Sequence, residues 1–266
     1  MKIVVCVKQV PEVTNVQVDP VTGTLIREGV QSILNPFCEY ALDHAVRMAK
    51  QLENVHVVAI SMGPPQAKDV LLRCLELGAD EGILVTDRQF AGADTWATSY
   101  TLAQAIRLAV PDYDLILVGK QAIDGDTAQV GPEIAEILSL PQITYGTQIG
   151  LSPSGRQVRV TREVEQGYEV VEAAMPALVS FSKGEMVRRA PSFRDVLQAR
   201  EKPLRMLSAA ALNIPEEELG LKGSFTQVVK VFPPPEKKTG RLLQDLEAEE
   251  AAQAIFDYLI ERRFIE

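Results

Sequence analysis

The 266-residue chain is poor in the residues that mark specialised classes of protein, with three cysteines, two histidines, one tryptophan and only 6% aromatics. Cys6, Cys38 and Cys74 are odd in number and widely spaced, which argues against a disulfide framework or a cysteine metal site and suits reduced, buried thiols. Neither His44 nor His56 stands in a pattern with a serine, cysteine or acid that implies nucleophilic catalysis, and metal-ligand spacing is missing. A basic excess is also missing: the formal net charge is -9, which disfavours nucleic acid or an anionic membrane as main partner. No apolar run approaches ~18 residues, and residues 1–10 read as a strand without a cleavage-site signature. The expectation is therefore no membrane span, no signal peptide and a cytoplasmic location. Neither G-x-G-x-x-G nor G-x-x-x-x-G-K-[ST] occurs.

What is present is a 46% hydrophobic chain, long enough to bury roughly 70–75% of its unfolded surface in one α/β domain with an appendage. Its organising stretch is 113–139, YDLILVGKQAIDGDTAQVGPEIAEILS. Asp114 to Gly119 has no polar side, so it reads as a strand buried on both faces of a parallel sheet. Asp124, Gly125, Asp126 and Thr127 are turn formers, with Asp126 or Thr127 as candidate N-cap. Val130, Ile134, Ile137 and Leu138 then recur at helical spacing, with Pro132 tolerated near the helix start. A helix N-terminus at the carboxyl edge of a sheet offers free N–H groups and a positive dipole end to a phosphate, and Gly125 and Gly131 lack a Cβ that would hold an anion away. An ordinary βα turn explains the same spacing, and Asp124 and Asp126 repel phosphate unless they are turned away or hydrogen-bonded.

Strand and helix alternate through residue 139. Ile3–Val7 is the first strand, followed by a hairpin at 16–26 and by a helix that Asn35 caps and Pro36 opens. His56–Met62, the helix stopped by Gly78, Gly82–Thr86 and the helix capped by Asp94 or Thr95 continue the alternation. This implies a doubly wound, mostly parallel α/β sheet with right-handed crossovers and ligands at its carboxyl edge. An antiparallel extension turning at Gln166-Gly167 and the strand Ala177–Phe181 follow. Residues 183–205 hold seven basic side chains against three acidic, with apolar Phe193 among them, and read as a solvated charged loop. Pro233-Pro234-Pro235 reads as an extended linker, and an amphipathic helix with Leu246, Ile255, Leu259 and Ile260 ends the chain. The expected domains are 1–205, nucleotide-binding, and 206–266, linker and C-terminal arm.

The run AIDGDTAQVGPEIAEILSLPQ, with VVCVKQVP, NPFCEYALDHAV, ISMGPP and LGAD in the same order, resembles the small (beta) subunit of electron transfer flavoproteins over nearly the whole chain. Within that family DGDTAQVGPEIAE is similar to the electron-bifurcating branch, whose small subunit carries FAD where the simple carriers hold AMP. The resemblance implies a cofactor site of Cys6, Asn35, Pro36, Phe37, Cys38 and Met62, with the loop Ala122, Ile123, Asp124, Gly125, Asp126, Thr127, Ala128, Gln129, Val130, Gly131, Pro132 and Glu133. GADTWATS adds Thr95 and Thr98 as flavin or nicotinamide contacts. It also implies a recognition loop at about 183–205 with Arg189, Phe193, Arg194 and Leu197, where Phe193 replaces the leucine usual in simple carriers. The implied partners are an alpha subunit in an obligate heterodimer, an acyl-CoA-dehydrogenase-type or other flavin dehydrogenase, and ferredoxin or flavodoxin, with NADH as substrate of the complex. Three alternatives stay open: a carrier subunit with structural AMP, a quinone-linked homologue of the nitrogen-fixation type, and an adenine-nucleotide sensor of the universal-stress kind.

Overall fold

The computed structural model describes residues 1–12, 17–18, 25–26, 32–186, 190–230, 240 and 242–265. Arg189, the hairpin turn around Asp19-Pro20 and the Pro233–Pro235 segment lie outside the described residues.

Alternating strands and helices build the first half: β1 (Lys2–Cys6), α1 (Pro36–Gln51), β6 (His56–Met62), α2 (Lys68–Leu77), β7 (Glu81–Val85), α3 (Thr95–Ala109), β8 (Leu115–Gly119) and α4 (Val130–Leu138). Between β1 and α1 lie the short strands β2 (Gln9–Pro11), β3 (Gln17–Val18), β4 (Leu25–Ile26) and β5 (Ser32–Leu34), paired antiparallel as β2 with β5 and β3 with β4. The second half adds β9 (Gln142–Leu151), β10 (Gln157–Val164), β11 (Gly167–Ala174), β12 (Ala177–Phe181), α5 (Phe193–Ala199), β13 (Leu204–Leu207) and α6 (Ala209–Leu212).

Among the described residues the main sheet has 9 strands in the order β11-β10-β9-β12-β8-β1-β6-β7-β13. All neighbours pair parallel except β9–β10 and β10–β11. Ile3 and Val5 of β1 bury into one apolar layer with α1 and α2, while Val4 and Cys6 bury into the other with α3 and α4. That alternation wraps helices on both faces and leaves the β1–β8 junction, where the chain reverses direction across the sheet, as the crevice expected to take a ligand. The doubly wound α/β architecture and its antiparallel extension thus match the sequence.

Two elements go beyond it. β9 hides because its alternation breaks at Tyr145 and Gly146, where the register against β12 and β10 shifts and Tyr145 takes a φ of 61°. β13 has only four residues and is legible only through its pairing with β7. The charged segment is not all loop either. Ser192 and Asp195 form a capping box that starts α5. Among the described residues two of the segment's cations are spent internally: Lys202 donates to the carbonyls of Leu75 and Ala79 at the end of α2, at 3.1 and 2.6 Å, and Arg205 pairs with Glu81.

The chain divides into two compact units, 1–230 and 231–266. The first therefore runs beyond position 205, through β13, α6 and the buried Leu219. The second contains α7 (Ala248–Glu261), with Glu249 and Glu250 in its first turn, where the helix dipole favours them.

Candidate functional site

The switch-point crevice is closed by three segments that the chain brings from far apart: Lys8 after β1, Asn35–Cys38 at the start of α1, and residues 120–129 between β8 and α4. Gly119 explains how the second and third meet. A Cβ there would lie 2.7 Å from the carbonyl carbon of Phe37 and 2.8 Å from the nitrogen of Cys38, so only glycine lets α1 cross the end of β8 this closely.

Asn35 precedes α1 as expected, and Pro36 opens the helix, but the Asn35 side chain makes no capping bond. It is 1% exposed, and its amide donates to the Gln121 carbonyl at 2.8 Å while accepting from the Ile123 N–H at 3.1 Å. The same Nδ2 lies 3.2 Å from the Cys38 sulfur. A side-chain amide offers both a donor and an acceptor, which is what a loop backbone running past it requires. Burial pushes the Cys6 thiol up to about 12, reinforced by Cys38, and burial also raises Cys38. Both are packing groups with no thiolate to offer at neutral pH.

The two loop carboxylates are turned to the protein. Asp124 is gripped by the Lys8 ammonium, at 2.8 Å to Oδ1 and 2.9 Å to Oδ2, and Asp126 accepts from Gln121 Nε2 at 2.7 Å. Neither Asp126 nor Thr127 is the N-cap, since α4 starts at Val130 with Gln129 before it and without a side-chain cap. The orphan N–H groups are not satisfied locally. Those of Thr127, Ala128 and Gln129 find no hydrogen-bond partner among the described residues. Asp126 and Ala128 take φ values of 52° and 56°, and Gln129 returns to the right-handed region. Alternation of hand turns successive N–H groups to one side and makes a nest for an anion. Ala128 in that conformation is strained, and such strain gathers at ligand loops.

The two loop glycines differ in purpose. A Cβ on Gly125 would meet nothing within 4 Å, leaving room above the turn, whereas one on Gly131 would strike Val118 at 2.8 Å. Gly131 therefore serves the packing of α4 on β8. Glu133 is held by Thr95 Oγ1 at 3.0 Å and Ser99 Oγ at 2.8 Å, so Thr95 latches α3 to α4. Asp94 caps α3 by accepting from the Ala97 N–H at 3.0 Å. Thr98 lies in the next turn, half-buried.

Cys6, Asn35–Cys38, Met62 and Ala122–Glu133 therefore converge at the carboxyl ends of β1, β6 and β8. Four residues not picked out in the sequence join them. Lys8, Gln121 and Ser99 tie the loop down, and Lys120 places its ammonium 5.9 Å from the Phe37 ring centre and 5.1 Å from that of Tyr145. Ser99 was findable as the hydroxyl one helical turn after Thr95. Lys8 was not, because its partner is 116 residues away. Two concavities, of about 360 Å³ beside Trp96, Tyr100 and Phe225 and about 210 Å³ beside His44, Arg47 and Gln148, do not contain this loop. Polarity and free N–H groups mark the site better than volume does. Among the described residues no group of three or more His, Cys, Asp or Glu is placed to hold a metal ion, and no helix is long and apolar enough to cross a membrane.

The family model for the electron transfer flavoprotein domain matches residues 22–212. The chain is 46% identical to the electron transfer flavoprotein subunit beta of Clostridium acetobutylicum, over 100% of both chains. It is 45% identical to that of Megasphaera elsdenii, over 98% of this chain and 97% of the relative. It is 43% identical to subunit CarD of the caffeyl-CoA reductase-Etf complex of Acetobacterium woodii, over 100% of both.

Proposed function

Because this chain belongs to the electron transfer flavoprotein family, as a beta-type subunit, we propose that the loop 122–133 holds the phosphates of an adenine nucleotide and that this nucleotide is FAD. The observation that carries the reading is that the N–H groups of Thr127, Ala128 and Gln129 have no partner among the described residues, beside carboxylates already bound to the protein. Asn35–Cys38 and Met62 wall the site, Thr95 and Thr98 border it from α3, and the open space above Gly125 gives the ligand room. A bound flavin would supply the hydride and single-electron chemistry. The chain's own residues bind, orient and exclude water.

The proposal extends to a wider role. The chain pairs with an alpha-type subunit through its C-terminal arm, and the complex oxidises NADH by electron bifurcation. Ferredoxin or flavodoxin and an acyl-CoA-dehydrogenase-type flavoprotein are the acceptors, and the CarD relative, named for a caffeyl-CoA reductase complex, supports the latter. Counting the cofactors released from the purified heterodimer tests this directly. Two FAD per heterodimer are expected; one FAD with one AMP makes the chain a plain carrier subunit and ends the bifurcation reading.

The recognition surface is α5. Phe193 and Leu197 stand one turn apart, 79% and 47% exposed, with Arg194 exposed beside them. Exposed side chains contribute little to folding, so Phe193→Ala with Leu197→Ala should leave the unfolding midpoint within about 2 °C. Reduction of the dehydrogenase should slow roughly 30-fold, the scale of an apolar anchor lost from an interface. Unchanged rates would place the docking surface elsewhere.

A further inference from the structure

We propose that Lys8 is a positioning residue for the nucleotide phosphate, acting through Asp124 without touching the nucleotide; this rests on the reading that the 122–133 loop binds one. Three carboxylates, Asp124, Asp126 and Glu133, belong to a loop and helix start that has to accept an anion. Neutral donors hold two of them: Gln121 for Asp126, Thr95 and Ser99 for Glu133. Among the described residues Asp124 alone receives a cation, and it receives it on both oxygens. The bidentate grip fixes the carboxylate's direction as well as cancelling its charge.

Lys8 is also positioned to do this by its own backbone. Its carbonyl accepts the Asn35 N–H at 2.9 Å, and the buried Asn35 amide holds the loop at Gln121 and Ile123. The ring from Lys8 to Asn35, to the loop and back to the Lys8 ammonium is closed. Its consequence is that the loop's free N–H groups are presented without a bare negative charge beside them. Without the ammonium, Asp124 becomes a like charge next to phosphate and a free end in the loop, and both effects weaken binding.

The pair is partly exposed, with side chains 48% and 30% accessible, so removing it should barely alter folding. The test is a double-mutant cycle on the heterodimer freed of nucleotide and titrated with FAD and with AMP. Lys8→Gln should weaken both about tenfold, while Lys8→Arg, which keeps the charge, stays within about threefold of wild type. In the D124N background K8Q should have no further effect, because the group it acts through is gone. The unfolding midpoint of each unliganded variant should stay within about 2 °C of wild type. If K8Q costs as much in D124N as alone, Lys8 meets the ligand itself and the proposal fails; it fails equally if K8Q alone leaves affinity within about threefold. A wild-type complex that takes up neither FAD nor AMP overturns the nucleotide reading and this role with it. Binding by wild type with an undiminished K8Q cost in D124N overturns the role alone.

Discussion

Gly119→Ala is expected to destabilise the protein by about 3 kcal/mol, lowering its unfolding midpoint by roughly 8 °C, and to remove nucleotide binding. The added methyl meets backbone on the facing side, at 2.7 Å from Phe37 and 2.8 Å from Cys38, so no rotamer change relieves it. Helix α1 has to move off the end of β8. That movement separates Asn35 from Gln121 and Ile123 and leaves the buried amide without its partners, which accounts for about 1–3 kcal/mol of the loss. Gly125→Ala is the control, since its Cβ enters open space and its φ is not in the left-handed region. Its stability should change by less than about 0.5 kcal/mol, so any fall in its nucleotide affinity reports on the ligand's own approach. Thermal unfolding and FAD titration of the two variants check both statements; a G119A protein as stable as wild type would show that the α1–β8 contact is not what assembles the site.

Acidification should weaken the fold through His44, by up to about 3 kcal/mol between pH 6.5 and 4. His44 is 4% exposed on α1 and stacks on Phe181, with ring centres 4.4 Å apart. Burial pulls its pKa from 6.5 down to about 4, and the neighbouring Arg47 cation adds to the effect, against a hydrogen bond to the Thr147 carbonyl. Arg47 only donates, so its contact with Nδ1 at 2.9 Å makes that nitrogen an acceptor and places the proton on Nε2. Below pH 6.5 the unfolded chain binds a proton that the folded chain refuses until about pH 4, so stability falls across that window and is intact above it. Asp43, which burial raises, binds its proton more readily when folded and partly offsets the loss. Urea unfolding of wild type and His44→Gln at pH 7, 5.5 and 4.5 isolates the histidine. The variant should lose distinctly less stability on acidification, and parallel curves would remove His44 as the cause.

The site was legible in one dimension where its chemistry is local. The apolar run 115–118, the turn formers 124–127 and the helical spacing after Val130 each follow from periods of two or 3.6 residues and from turn stereochemistry, and the β8–loop–α4 unit is where they put it. The capping assignments show the limit. Asn35 has the right residue type for a cap and sits in the right place, yet its amide is drawn to a loop 86 residues away. Asp126 likewise turns to Gln121 instead of capping α4. Short polar side chains satisfy whichever backbone group lies nearest, and nearness is a tertiary property.

The amino-acid sequence by itself determined the alternation of strands and helices, the two-faced burial of the parallel sheet, the family, and the loop that ends at α4, because hydrophobic period and turn chemistry act over a few residues. Only the tertiary structure decided that β9 and β13 join the sheet, that Gly131 is a packing glycine, and that Lys202 and Arg205 are spent within the fold. It also decided that Lys8 and Asn35 hold a loop more than 80 residues distant. Those outcomes depend on which charges, amides and methyl-sized gaps meet across the crevice, and such meetings are fixed by three-dimensional distance, which no spacing along the chain encodes.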